Sequence, residues 1–177
     1  MDELLEVYTE AGKSTGKLKP RSEVHSTGLW HKTVQVWIMN NKNEVIIQRR
    51  QPKKEGSPRK WDVSCGGHCT VGDFSIKSAI RETEEEMGLK FSESDFVHIG
   101  SGKYTSMQGM NNEFIDVYLV NYNYDISNIK FQEEEIDAIK SVKISELGDK
   151  EKLNFANRGL AIKLLFEHLE NKSESKM

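Results

Sequence analysis

Residues 74–87 constrain the fold of this chain more than any other stretch. Ile76, Ile80, Thr83 and Met87 recur at i, i+4, i+7 and i+11, one face of a 3.6-residue period. Asp73 or Ser75 can cap the start of this helix, and Gly88 stands where a left-handed stop belongs. With Glu82 set at 0°, Glu85 falls at about −60° and Glu86 at about +40°, whereas the apolar residues gather at about 100–160°. One face can dock on a sheet while another carries three carboxylates. Like charges at i+3 and i+4 cost a few tenths of a kcal/mol per pair. Arg81, four residues before Glu85, offsets part of that cost, and a divalent cation would reverse the rest. Mg²⁺ prefers hard oxygen ligands and keeps room for waters and a substrate phosphate. A Glu-rich run taken alone is more often a solvated surface.

The flanking sequence supplies a sheet for the apolar face. Val34, Val36 and Ile38 alternate within Thr33–Met39, Asn40–Asn43 turn the chain, and Val45-Ile46-Ile47 begin a partner strand. Residues 4–19 read as an early hairpin, Trp61–Ser64 as a short strand, and Glu113–Asn121 and Ile139–Ile144 as further strands. An amphipathic helix is expected over Arg158–Glu170. Strands and helices mix without βαβ repetition, which predicts an α+β fold with a mixed sheet. With 177 residues and 36% hydrophobic content, the chain can bury one core. We expect a single domain over residues 1–170 and a polar, frayed tail over 171–177.

Composition also excludes several roles. A net charge of −3 gives no polybasic footprint for nucleic acid. No apolar run reaches the length needed to span a bilayer, and the acidic start lacks a secretory signal. Cys65 and Cys69 are only four apart and cannot frame a disulfide scaffold. The expectation is a cytoplasmic protein with no nucleic-acid or membrane partner, its oligomeric state open and a homodimer included.

The spacing around the helix extends further. Gly67, five residues, Asp73, seven residues, then Arg81-Glu82-Thr83-Glu84-Glu85-Glu86-Met87-Gly88-Leu89 closely resembles the signature of the Nudix hydrolases. Six of its fixed residues match, Gly67, Arg81, Glu82, Glu85, Glu86 and Gly88, about one chance in ten million per starting position at background frequencies. Asp73 replaces the usual glutamate, and Thr83 a usual aliphatic residue whose place its methyl can take. The resemblance implies a mixed sheet between helices, an α/β/α sandwich with a loop-helix-loop motif. It also implies hydrolysis of a small-molecule nucleoside diphosphate linked to another group. Glu82, Glu85 and Glu86, with the Gly67 carbonyl, would hold Mg²⁺ or Mn²⁺, and Arg81 would orient the carboxylates. Bound metal neutralises a diphosphate and lowers the pKa of water. Glu82 and Glu113 are both candidates to take the water's proton.

From about residue 3 to 147 the chain is also similar to the isopentenyl-diphosphate isomerases, through the early hairpin, Trp30-His31, Arg49-Arg50, Trp61 and Gly67-His68. Those enzymes bind metal through histidines and glutamates and move protons with a cysteine and a glutamate. Here Gly66 occupies the position matching that cysteine, with Cys65 one residue early; neighbouring side chains on a strand point to opposite faces. His31 and His68 match metal histidines, His25 is displaced by one residue, Glu113 matches the catalytic glutamate, and Asn111 replaces a metal glutamate. The balance favours a hydrolase over an isomerase, with a non-catalytic nucleotide binder as a third reading.

Other residues are weighed against plainer roles. His31 and His68 can serve a second metal or touch substrate, although a lone histidine is more often packed. Arg49, Arg50, Lys53, Lys54, Arg59 and Lys60 form a basic loop that can draw in phosphates or simply be solvated; the arginines can grip phosphate through two bonds. Trp30, Trp37 and Trp61 read as structural, with nucleobase stacking open to one near the cleft. Gly12-Lys13-Ser14 is a turn, since Val7 stands where a P-loop needs glycine. Glu133–Glu135 reads as a solvated approach to a strand. Substrate choice is expected to lie in loops over residues 50–60 and 100–113.

Overall fold

The computed structural model describes residues 2–54, 56–72 and 74–174. In chain order its elements are β1 (Leu4–Tyr8), β2 (Ser14–Pro20), α1 (Arg21–Thr27), β3 (Trp30–Met39), β4 (Glu44–Arg50), β5 (Trp61–Asp62), β6 (Cys65–His68), α2 (Ser75–Met87), β7 (Phe96–Thr105), β8 (Asn112–Asn121), β9 (Ile136–Lys143), α3 (Lys150–Leu153) and α4 (Gly159–Glu174). Both faces of β3 are buried. Val34, Val36 and Ile38 pack with Ala79 and Met87 of α2, whereas Trp37 and Met39 pack with Ala161, Ile162 and Leu165 of α4. A strand covered on both faces lies in a middle layer, so the chain is a helix–sheet–helix sandwich.

The sheet is mixed, as expected. β3 runs parallel to β8 from Trp30↔Asn112 to Met39↔Asn121 and antiparallel to β1, β4 and β6. Its pairing with β4 is confined to Met39↔Val45. Beyond that point Ser64 substitutes for the ladder: its hydroxyl accepts from Ile38 N at 2.8 Å and donates to Ile46 O at 2.6 Å. The strands then diverge, and the split exposes Gln35 of β3 and Gln48 of β4 to one cavity.

Several boundaries differ from expectation. α2 ends at Gly88 in a left-handed cap (φ 63°) as predicted, but its N-cap residue is Phe74, whose side chain makes no capping bond. Ser75 instead uses its hydroxyl on Tyr118 at 2.5 Å, and Asp73 lies outside the described residues. β7 crosses a region that reads as a loop from residue 100, because Gly100 and Gly102 interrupt its pattern. A Cβ at either glycine would come within 2.7 Å of Leu164 or Leu160, so their bareness lets α4 lie close against the strand. α4 continues to Glu174, beyond the start of the expected polar tail; residues 175–177 lie outside the described residues. α1, with Val24 as its buried residue, is too short for its periodicity to show.

Candidate active site

The carboxylate face of α2 turns into a cavity of about 660 Å³ at the mouth of the split sheet. Glu86 is buried, and its Oε2 accepts from Gln48 Nε2 at 2.9 Å and from Gly66 N at 3.1 Å. Burial, followed by the charge of Glu82, pushes its carboxyl up to about 8. Burial also raises Glu82, against the opposing Arg81. Arg81 ties the group together: Nη1 lies 2.8 Å from Glu82 Oε1 and 3.0 Å from Glu85 Oε2, while Nη2 donates to the His68 carbonyl at 3.0 Å. A Cβ on Gly67 would sit 2.3 Å from the Glu82 carboxylate, so only glycine leaves this cradle open. Two carboxyls raised by burial, beside a glycine with no side chain to fill the space, fit a hard divalent cation.

A second ligand set lies alongside. His25 of α1, His31 of β3 and His68 of β6 offer nitrogen atoms within 4.8 Å of one another. The His31 Nδ1–H donates to the Leu29 carbonyl at 3.1 Å. That bond leaves Nε2 as a lone pair, buried and unpartnered among the described residues. His68 Nε2 is 3.3 Å from His25 Nε2, and its Nδ1 is 3.2 Å from Glu3 Oε2. Burial, then the neighbouring His68 and His31, pushes His25 down to about 4; burial also lowers His31. Imidazole nitrogens gathered this closely suit a transition metal better than Mg²⁺. Strand register explains the grouping, since β3 sets His31 beside Glu113 and Thr33 opposite His68. Glu113 Oε1 lies 4.0 Å from His31 Nε2 and accepts from Asn111 Nδ2 at 2.9 Å.

Not every residue singled out in the sequence reaches the cavity. Arg50 lines it, but Arg49, its neighbour on β4, faces away, paired with Asp137 at 2.7 Å and set over the Trp61 ring. The alternation of strand side chains separates the pair. Lys54 and Glu135 line the cavity as an ion pair, so the end of the 133–135 run is not merely solvated. Trp30, Trp37 and Trp61 are absent from the wall; its aromatic residue is Tyr104. Cys65 is fully buried toward α2, its Sγ 3.2 Å from Thr83 Oγ1, and burial raises its thiol pKa. Thr83 directs its hydroxyl to the Ala79 carbonyl at 2.7 Å, so it fits the core position despite its polarity. Glu3, Arg21, His25, Asp62 and Arg158 all border the cavity. Of these only His25 was noted in the sequence, because no local spacing links them.

The chain matches the NUDIX domain over residues 29–164. It belongs to the Nudix family. Nudix hydrolase 3 of Arabidopsis thaliana is 39% identical over 157 residues, covering 82% of this chain but 20% of that longer protein. An uncharacterized Nudix hydrolase of Clostridium acetobutylicum is 31% identical over 82% of this chain and 72% of its own length. The match to isopentenyl-diphosphate Delta-isomerase 2 of Photorhabdus laumondii is partial: 30% identity over half of each chain. Among solved structures, a Deinococcus radiodurans protein superimposes with a TM-score of 0.71 at 20% identity, covering 93% of this chain and 98% of that one. The NUDIX domain of Shewanella oneidensis NrtR, complexed with ADP ribose, gives 0.61 at 14% identity, covering 78% and 87%. These likenesses support the predicted Nudix fold. Glu3, Arg21 and His25 precede the matched domain, so the N-terminal hairpin and α1 add their own side chains to the cavity. No helix among the described residues is long and apolar enough to cross a membrane.

Proposed function

We propose that this chain is a Mg²⁺-dependent hydrolase, with Mn²⁺ as a substitute. In this reading it cleaves the diphosphate linkage of a nucleoside diphosphate derivative or related small molecule by water attack at phosphorus. The observation that carries this reading is the set of Glu82, Glu85 and Glu86 lining one cavity with Arg50 and Lys54, Glu82 packed against the bare Gly67. Mg²⁺ held there supplies charge neutralisation and a more acidic water. The protein's own part is positional. Arg81 fixes Glu82 and Glu85, Gln48 and the Gly66 amide fix Glu86, and Arg50 and Lys54 meet phosphate oxygens. Glu82 and Glu113 are the candidates to accept the proton. His31 and His68, joined by His25, form a second cation site. The ADP ribose bound by the NrtR domain supports a nucleoside diphosphate derivative as substrate. The buried, inward Cys65 disfavours the isomerase reading, and the complete carboxylate set disfavours a non-catalytic binder. We place the working protein in the cytoplasm, with no nucleic-acid or membrane partner.

The test is NMR on the purified protein with Mg²⁺ and a pool of nucleoside diphosphate derivatives plus isopentenyl diphosphate. New ³¹P resonances that vanish with Glu86→Gln establish the hydrolase. An unchanged phosphorus spectrum with new allylic proton signals would instead mean an isomerase, and binding without product a nucleotide binder.

A further inference from the structure

The cavity wall also carries an arginine outside the Nudix signature, Arg158. The chain just before α4 is tied to β5: Trp61 N donates to Asn154 O at 3.1 Å and Ala156 N to Trp61 O at 2.7 Å. This brings Arg158 beside Asp62, which is 2% exposed. Arg158 Nε and Nη2 grip the two Asp62 carboxylate oxygens at 2.7 and 2.9 Å. Arg50 Nη1, at 3.3 Å, and the Val63 amide, at 2.8 Å, also donate to that carboxylate. A two-point contact to a buried anion fixes the guanidinium plane as a single hydrogen bond would not. The third nitrogen, Nη1, has no hydrogen bond among the described residues. Tyr104 and Glu113, close enough to act on Arg158 electrostatically, line the cavity with it.

We propose that Arg158 reads the part of the substrate beyond the scissile diphosphate and selects one bearing an oxygen acceptor over a hydrocarbon. This rests on the hydrolase reading for the identity of the scissile bond. An alkyl tail would cover a fixed guanidinium N–H without giving it a partner, the situation in which a polar site rejects an apolar analogue most strongly. A sugar hydroxyl or a terminal phosphate meets the same donor. The preferred substrate class is therefore a diphosphate with a polar second half.

The test compares three ligands: ADP-ribose, whose distal group offers hydroxyls; 5-phosphoribosyl diphosphate, which offers a phosphate; and isopentenyl diphosphate, which offers neither. Dissociation constants come from calorimetry in the Glu86→Gln background with Mg²⁺, and kcat and KM from the otherwise unaltered protein. Arg158→Lys retains a cation for Asp62 but loses the forked geometry. It is expected to weaken binding of at least one polar ligand by on the order of 10- to 100-fold, to raise its KM rather than lower its kcat, and to leave isopentenyl diphosphate unchanged. Which polar ligand responds separates a hydroxyl partner from a phosphate partner. Equal affinity of the Glu86→Gln protein for all three ligands, no effect of Arg158→Lys, or an equal loss across all three would overturn the proposal. Selective binding without any hydrolysis would uphold Arg158 and refute the hydrolase reading alone.

Discussion

The carboxylates of α2 and the imidazoles of His25 and His68 border the same cavity, with His31 buried behind them, yet the chain assembles the two clusters in opposite ways. Glu82, Glu85 and Glu86 come from a single turn and a half of one helix, and Arg81 on that helix cross-links two of them. His25, His31 and His68 come from three elements and meet only because β1 and β6 both pair with β3 while α1 packs against β1. The donors differ as well. The first set is carboxylate oxygen, suited to Mg²⁺; the second is imidazole nitrogen, suited to a softer ion. Under the proposed function, the contrast implies a division of labour, with the helix carrying the hydrolytic centre and the imidazoles supporting it.

The sharpest test of that division is Glu86→Gln. It is expected to lower Mg²⁺-dependent turnover by roughly 10³-fold, the scale of losing a preorganised electrostatic group. Thermal melting should show no loss of stability in the metal-free protein. A buried carboxyl raised to about 8 costs stability at neutral pH, where the unfolded chain ionises freely, and a neutral amide removes that cost. Retention of full activity would dissolve the distinction between the two clusters.

His31→Ala probes the other side. In the Glu86→Gln background, Co²⁺ or Zn²⁺ at about 100 times its Kd should stabilise the protein by about 2.7 kcal/mol through mass action. That increment should vanish with His31→Ala, while Mg²⁺-dependent hydrolysis in the otherwise unaltered protein falls by only about tenfold. Comparing melts with and without the ion cancels the substitution's own effect on folding. A persistent increment would place the soft ion elsewhere.

How each cluster could be read from the sequence follows from the same contrast. Helix periodicity and the signature spacing expose Glu82, Glu85, Glu86 and Gly67, because their geometry is local. The β3 alternation likewise exposes the strand that both helices cover. The histidines are visible singly, but their convergence depends on strand register and on α1, a helix too short to announce itself. Asp62 and Arg158 are ninety-six residues apart, and only the tie between β5 and the chain before α4 brings them together. Arg49 and Arg50 are indistinguishable in composition; strand alternation, once β4 is placed, sends one of them inward.

A smaller effect is expected at Glu3, whose carboxylate contacts His68 Nδ1 at 3.2 Å. That hydrogen bond also holds the Glu3 pKa below its usual value. It fixes the ring so that Nε2 faces His25, the outer-shell role that orients a ligating histidine. Glu3→Gln should weaken the soft ion about tenfold by calorimetry and leave the KM for Mg²⁺ unmoved. A matching loss at both would mean that the clusters act as one centre.

Cys65→Ala should have the smallest effect on activity. The thiol is fully buried against α2, 3.2 Å from Thr83 Oγ1, and burial keeps it protonated. Position 66, which faces the cavity, has no room for a side chain: a Cβ there would approach the Val34 carbonyl to 2.7 Å. Losing the sulfur should therefore cost about 1 kcal/mol of stability from the small void it leaves, with kcat/KM for the hydrolysed diphosphate within about twofold of the parent, since no reacting group is removed. Thr83 would keep its bond to the Ala79 carbonyl, so the helix that carries the glutamates stays in place. A collapse of turnover comparable to that of Glu86→Gln would show that the thiol reaches the reacting atoms, and the chemistry would then belong with cysteine-dependent proton transfer rather than with water attack at phosphorus.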